Sequence, residues 1–246
     1  VTATLAEIWR HPVKAIGREP LDTVALAPGR TLPHDRRWAV THEKAKPVEG
    51  GWAKKVNFLR GVSGPGLMAV TATLDTAAGT VTLSHPERPD LTVDPATQAE
   101  ALVDWLGPIW PDDLPRPTGV VASETGFTDV PDAWVSVHGF ATHRTVEQKL
   151  GRALSIHRWR GNLWLEGLAP WEEFDLVGRR FRIGDAVLEG RARITRCRAT
   201  EANPETGRRD ADTLGVLRSW DHQDFGIYAE VVEGGEIARG AAVVAS

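Results

Sequence analysis

Apolar and polar positions alternate with a period of two along short stretches of the first half of the chain, separated by Gly and Pro, and that period predicts strands. The stretches are residues 4–9, 20–26, 36–41, 67–74 and 80–84. In the fourth, Leu67, Ala69, Thr71 and Thr73 alternate with Met68, Val70, Ala72 and Leu74, which suits a half-buried strand of a small barrel or sandwich. The AAGT sequence that follows reads as a hairpin turn. The period then changes. Asp94-Pro95 can cap and open a helix over 96–106, with Ala99, Leu102, Val103 and Leu106 on one face and Gly107-Pro108 as its stop. Pro111, Pro115 and Pro117 give the next stretch the composition of a linker, and we place a domain boundary near residue 118. In the second half a helix is predicted over 141–150, with Val146 and Leu150 facing a core and Gly151 ending it. Strands are predicted at 162–166, 179–183, 186–189, 191–200 and 227–232, with a short helix over 211–220. Tryptophans 9, 38, 159, 164 and 171 are expected to fill the cores of the two units. The pattern is mainly β with a few helices, in two tandem units, 1–118 and 119–246.

Composition narrows the chemistry by exclusion. With 41% apolar and 25% charged residues, and no stretch near the roughly 20 apolar residues of a membrane span, the chain reads as a soluble protein with no membrane partner. Its start lacks the features of a secretory signal, so a cytoplasmic location is expected. The 29 basic residues do not outnumber the 33 acidic ones and form no long run, which argues against a nucleic-acid partner. One cysteine excludes an intramolecular disulfide, an iron–sulfur cluster or a cysteine-rich zinc site within the chain, so redox chemistry needs an external cofactor. GGWAKK, GVSGPG and EGGEIARG match neither a Walker loop nor a dinucleotide fingerprint. His138 and His143 lack zinc-protease spacing, and no GxSxG elbow is present.

What remains is the run from Arg191 to Thr200, in which three arginines precede Cys197 and one follows it. Neighbouring guanidinium groups favour thiolate over thiol and so make a better nucleophile or metal ligand. The plain alternative is a buried, inert cysteine packed in a strand.

Several pieces of the chain decide between these by what they resemble. RHPVKAIG, HDRRW, WRGNLWLEG, FRIGDAVLEG, ITRCRATEANPETG and DFGIYAEVVEGGEIARGAAV, in that order, resemble the MOSC family, the domains related to the C-terminal part of molybdenum-cofactor sulfurases. The resemblance implies two tandem β-barrel domains, an N-terminal MOSC-associated barrel followed by the MOSC barrel. It also implies a bound molybdenum cofactor. Cys197 matches the position whose thiolate coordinates molybdenum in the mitochondrial amidoxime-reducing enzymes, and soft sulfur suits a metal also held by pterin dithiolene sulfurs. Lys14, Arg36, Arg160 and Asn162 match positions that suit the anionic end of that cofactor. Thr195 and Tyr228 match smaller polar contacts, and Thr128 and Asp129, in GFTDVP, are further matches. Where those enzymes have serine after the early lysine this chain has Ala15, so one hydroxyl contact is absent. The implied activity is reduction of small N-hydroxylated or N-oxide substrates, with electrons from a separate flavin, haem or iron–sulfur protein. A sulfur carrier working through a Cys197 persulfide, and a non-catalytic cofactor carrier, are the alternatives.

Overall fold

The computed structural model describes residues 3–46 and 51–245. In chain order the first half contains β1 (Ala3–Arg10), β2 (Glu19–Leu21), β3 (Thr23–Leu26), β4 (Trp38–His42), β5 (Thr71–Asp75), β6 (Thr80–His85), β7 (Arg88–Val93), α1 (Ala99–Leu106) and β8 (Pro117–Ala122). The second contains β9 (Val135–Gly139), α2 (Phe140–Leu150), β10 (Leu163–Glu166), β11 (Arg180–Ile183), β12 (Ala186–Thr195), α3 (Thr213–Arg218), β13 (Asp224–Glu233), β14 (Gly235–Ala238) and β15 (Ala242–Ala245). The expected mainly β architecture is present, and among the described residues no helix is long and apolar enough to cross a membrane.

One sheet closes on itself. Its strands run β10-β9-β13-β12-β11-β15-β1, and β1 pairs again with β10, so seven strands form a barrel with β2 appended to its β1 side. Closure leaves the seven without free edges. The division expected near residue 118 follows the sequence, but the chain's first strand lies in the barrel built otherwise from 135–245. A bulge between Leu5 and Glu7 lets β1 turn both Leu5 and Ile8 into the interior, although their spacing is odd. β3 pairs with β14, and the rest of the first half forms the two-stranded β4–β8 sheet, the three-stranded β5–β6–β7 sheet and α1, packed around Ile16, Trp38, Leu67, Val81, Leu83, Leu102 and Trp105.

Three departures from the predicted elements have physical causes. Residues 67–74 are not one strand: Gly64-Pro65-Gly66 starts a 3-10 turn, Pro65–Ala69, in which Leu67, Met68 and Ala69 are all buried, and β5 begins only at Thr71. The two strands predicted across 186–200 are the single strand β12, after which Cys197 caps a 3-10 turn, Arg198–Glu201. Asp94 caps a turn rather than α1: its carboxylate accepts from Ala96 N at 2.9 Å and Thr97 Oγ1 at 2.8 Å, and the helix starts at Ala99.

The tryptophans also correct an expectation. Only Trp38 of the five lies in the first unit's core, and the interior of the seven-stranded barrel is filled by Leu, Ile, Val and Phe. Trp159 and Trp164 belong instead to a third apolar cluster outside the barrel, with Val146 of α2, Leu214 and Leu217 of α3, and Phe225. A narrow barrel has room for branched aliphatic layers, so the indoles pack between its outer wall and the helices. Trp9 and Trp171 pack at the edge of that cluster.

Candidate functional site

Lys14, Arg36 and Arg160 come together where the two units meet, each on a backbone held in an unusual conformation. Arg36 and Arg160 have φ of 52° and 50°, and Ala15, beside Lys14, has 62°, left-handed values that non-glycine residues rarely adopt. Such positions persist only where surrounding structure imposes them. Here the restraints are visible. Arg36 N donates to His11 O at 2.6 Å, Lys14 N donates to Trp38 O at 2.7 Å, and Arg160 N donates to His157 O at 3.2 Å, at the end of the 3-10 turn Ile156–Trp159.

The side chains interlock. Arg36 Nη1 is paired with Asp35, whose other oxygen accepts from His11 N at 2.7 Å, and Arg36 Nη2 donates to the carbonyl of Arg160 at 3.1 Å. Lys14, 4% exposed, donates to the Phe127 carbonyl at 2.8 Å and to Asp129 Oδ1 at 2.5 Å. Arg160 Nη1 donates to Gly17 O at 3.3 Å, whereas its Nη2 is buried and finds no hydrogen-bonding partner among the described residues. Burial, reinforced by the Arg36 charge, lowers the Arg160 pKa to about 9.

A fourth cation, Arg196, was not singled out from the sequence. It immediately precedes Cys197 and folds back between strand ends, donating to Phe225 O through Nε at 2.9 Å and Nη2 at 2.6 Å, and to Trp159 O at 2.9 Å. Its Nη2 also lies 3.3 Å from His138 Nδ1. Burial lowers its pKa to about 10, with Tyr228, Cys197 and Asp129 near enough to oppose the shift and Arg36 near enough to add to it. The run before Cys197 signalled a positive environment. Nothing in its spacing distinguished Arg196, whose guanidinium turns inward, from Arg193, which lies over the Phe174 ring at 4.3 Å. Asp35 and His138 were equally unmarked.

Cys197 is exposed, which removes the reading of an inert buried thiol. Tyr228, on β13, is pushed above the usual phenol value by burial and by Asp129, so it stays protonated at neutral pH. Three of the nine expected residues are engaged elsewhere. Asn162 is 2% exposed and ties three strands together: its Oδ1 accepts from Ser136 N and Oγ, at 3.2 and 2.9 Å, while its Nδ2 donates to Trp9 O at 3.1 Å. The Thr128 hydroxyl donates to Val130 O at 2.6 Å, and that of Thr195 donates to Asp224 Oδ1 at 2.7 Å. None of these residues lines either of two surface hollows of about 320 and 690 Å³, one beside Trp134, whose ring packs on Tyr228, and Arg191, the other beside Trp110 and Asp112.

The loop that follows Cys197 joins the two units. Arg18 donates to Met68 O and Val70 O, at 3.0 and 3.1 Å, and to Pro204 O at 3.1 Å. Arg209 donates to Val62 O at 2.7 Å, and Gly207 sits so close to Gly66 that a Cβ on it would lie 2.6 Å from the Gly66 Cα. Within the second half, Arg158 donates to Glu201 O at 3.0 Å and to Asp210 Oδ1 at 2.5 Å. Cys197 thus stands at the head of a segment fastened to both halves.

A closed seven-stranded barrel, a second β unit in front of it and a cationic cluster between them define the class of protein. Residues 124–244 match the MOSC domain and residues 2–107 the MOSC N-terminal beta barrel domain, and the chain belongs to the MOSC family. No curated protein matches it. Among solved structures it is similar to the YuaD protein from Bacillus subtilis, at 12% identity and a TM-score of 0.50 over 99% of this chain and 94% of that one. The YiiM proteins from Geobacillus stearothermophilus and Escherichia coli are 18% and 14% identical over 46% of this chain and 53% of theirs, with TM-scores of 0.37 and 0.35. At 12% identity the likeness to YuaD is one of fold.

MOSC domains are linked to binding of the molybdenum cofactor. The residues present fit such a group. An anionic phosphate would satisfy the unpartnered Arg160 Nη2 and relieve the repulsion between Arg160 and Arg36, and an exposed thiol lies next in the chain to one of the same cations.

Proposed function

We propose that this protein is a molybdenum-cofactor oxidoreductase that reduces N-hydroxylated or N-oxide compounds, taking electrons from a separate redox protein. The observation that carries the proposal is the buried, unpartnered Arg160 Nη2 inside a cluster of four cations next to an exposed thiol. Arg36, Arg160 and Lys14 hold the phosphate end. Arg36 is aimed by Asp35 and by the Arg160 carbonyl, so the two guanidinium groups form one unit. Cys197, exposed and next in the chain to Arg196, would provide the metal's ligand. Tyr228, held protonated, is positioned to supply a hydrogen bond at the same face. The bound group supplies the two-electron oxygen-atom chemistry.

The test is metal analysis of protein made in a cofactor-producing host, beside Cys197→Ser and Arg160→Leu, followed by benzamidoxime reduction with an artificial electron donor. Wild type is expected to carry molybdenum and reduce the substrate, Cys197→Ser to lose turnover, and Arg160→Leu to lose cofactor. Wild type without molybdenum would sink the proposal. The exposure of Cys197 favours one second reading, sulfur transfer through a persulfide. Cyanide-labile sulfur on Cys197, without benzamidoxime turnover, would select it.

A further inference from the structure

Two carboxylates lie among the four cations of the site, and they differ in how firmly they are held. Asp35 is 2% exposed and doubly committed, to His11 N and to Arg36. Asp129 is 58% exposed along its side chain and has one partner among the described residues, the Lys14 ammonium. It stands on the connection between β8 and β9, outside any strand ladder. The backbone beside it is fixed by the Thr128 hydroxyl on Val130 O and by the Trp52 indole, which donates to Thr128 O at 3.0 Å.

The Asp129 charge acts on all four cations, Lys14, Arg36, Arg160 and Arg196. Lys14 keeps the Phe127 carbonyl as a partner whether or not Asp129 is in place. The exposed Asp129 side chain can therefore turn outward without opening the core, whereas Asp35 cannot.

We propose that Asp129 is a resident counter-ion of this site, standing where an incoming phosphate must go and displaced by it, so that it sets how tightly the chain holds an anionic ligand. The inference rests on the reading of the cluster as an anion site. Its physical basis is the competition of two negative groups for one set of cations at short range, where each charge pair counts more than at an open surface because Lys14 is buried and the three arginines are largely covered. Asp129 lowers the affinity of the site and keeps Lys14 paired while the site waits for its ligand.

Inorganic pyrophosphate is the probe, titrated by calorimetry into the full chain, its Asp129→Asn form and its Asp129→Ser form, all checked by thermal melting. Each variant is expected to bind pyrophosphate about tenfold tighter or better than wild type, a difference of ~1.4 kcal/mol. Each is also expected to gain more melting temperature from it. In wild type, the amide resonances of residues 127–130 should shift on titration together with those around Arg160. Equal or weaker binding by the folded variants, or a wild-type titration that leaves 127–130 unmoved, would overturn the inference and make Asp129 a positioning group for Lys14. Molybdenum content separates this from the reading it rests on. Tighter pyrophosphate binding by protein that takes up no molybdenum keeps the counter-ion and discards the cofactor; loading without any gain in pyrophosphate affinity does the reverse.

Discussion

Burial of ionisable side chains beside the cations gives single residues a measurable effect on acid stability. His11 is 1% exposed; burial first, and then the Arg160 charge, lower its pKa to about 3, against the opposing influence of Asp35. It is neutral in the folded chain, while in the unfolded chain it titrates near 6.5. Between those values the unfolded state binds one proton more, so stability is full above about pH 6.5 and falls as the pH drops toward 3, by up to ~1.4 kcal/mol per pH unit. His138, fully buried and also held well below its ordinary value by burial and by Arg196, adds a second such dependence. Asp35 works in a different window. Burial would raise its pKa, but Arg36 and His11 hold it below the ordinary range, so its contribution is present at neutral pH and lost only below about pH 4. Urea unfolding at pH 7, 5.5 and 4.5 should therefore show a slope between 7 and 4.5 that His11→Gln flattens. An unchanged slope in that variant would refute the assignment.

At the scale of elements, the sequence made most of the strands legible and left the site's supports hidden. The period-two pattern located β1, β6 and β11 closely, and Gly151, at φ 70°, ends α2 as expected. It gave no strand for β9, in which all five residues from Val135 to Gly139 are buried, so no alternation separates inside from outside. The resemblance, carried by short local runs, singled out Lys14, Arg36 and Arg160, which the fold brings together, and Cys197, which it leaves exposed. It could not find His138, whose importance comes from what encloses it. A Cβ on Gly161 would lie 2.1 Å from His138 Cδ2, and one on Gly226 2.1 Å from His138 Nδ1, so the WRGN and DFG segments close on opposite sides of one ring. The ring is thus a spacer that fixes the Arg160 loop and the Phe225 carbonyl bonded by Arg196. Gly161→Ala has no left-handed backbone to strain, so its cost, expected at about 3 kcal/mol by overpacking, should come mainly from His138, with Trp164 Nε1, 3.0 Å from the added Cβ, the lesser obstacle. In a His138→Ala background the same substitution should cost less than about 1 kcal/mol, a coupling that a double-mutant cycle of chemical denaturation measures. Additive costs would show that the ring is not the obstacle.

For the molecule as a whole, the position of β1 decides what can fold. β1 supplies Leu5 and Ile8 to the barrel interior and pairs on one side with β10 and on the other with β15. A fragment of residues 119–246 would lack it, leaving two unpaired edges and an opened core. Burial of two such aliphatic side chains is worth roughly 3–6 kcal/mol, comparable with the whole stability of a domain of this size, ~5–15 kcal/mol. β14 adds to the dependence, since its only strand partner among the described residues is β3, over Thr23–Leu26. A fragment of residues 1–118 is compromised in the converse way, because β1 loses β10 and β15, keeping only β2, β3 loses β14, and Arg18 loses the Pro204 carbonyl. The two units are therefore expected to unfold together, in one transition seen equally by Trp fluorescence and by far-ultraviolet circular dichroism. Neither fragment should give a cooperative melt alone. Co-expression of the two should restore one, and a 119–246 fragment extended at its C-terminus by a flexible linker and residues 1–30 should regain a sharp melt without the rest of the first half, because both strands it needs would be back. A native-like melt from 119–246 alone would mean that the barrel closes without β1, and that the site between the units is assembled by docking rather than by a shared sheet.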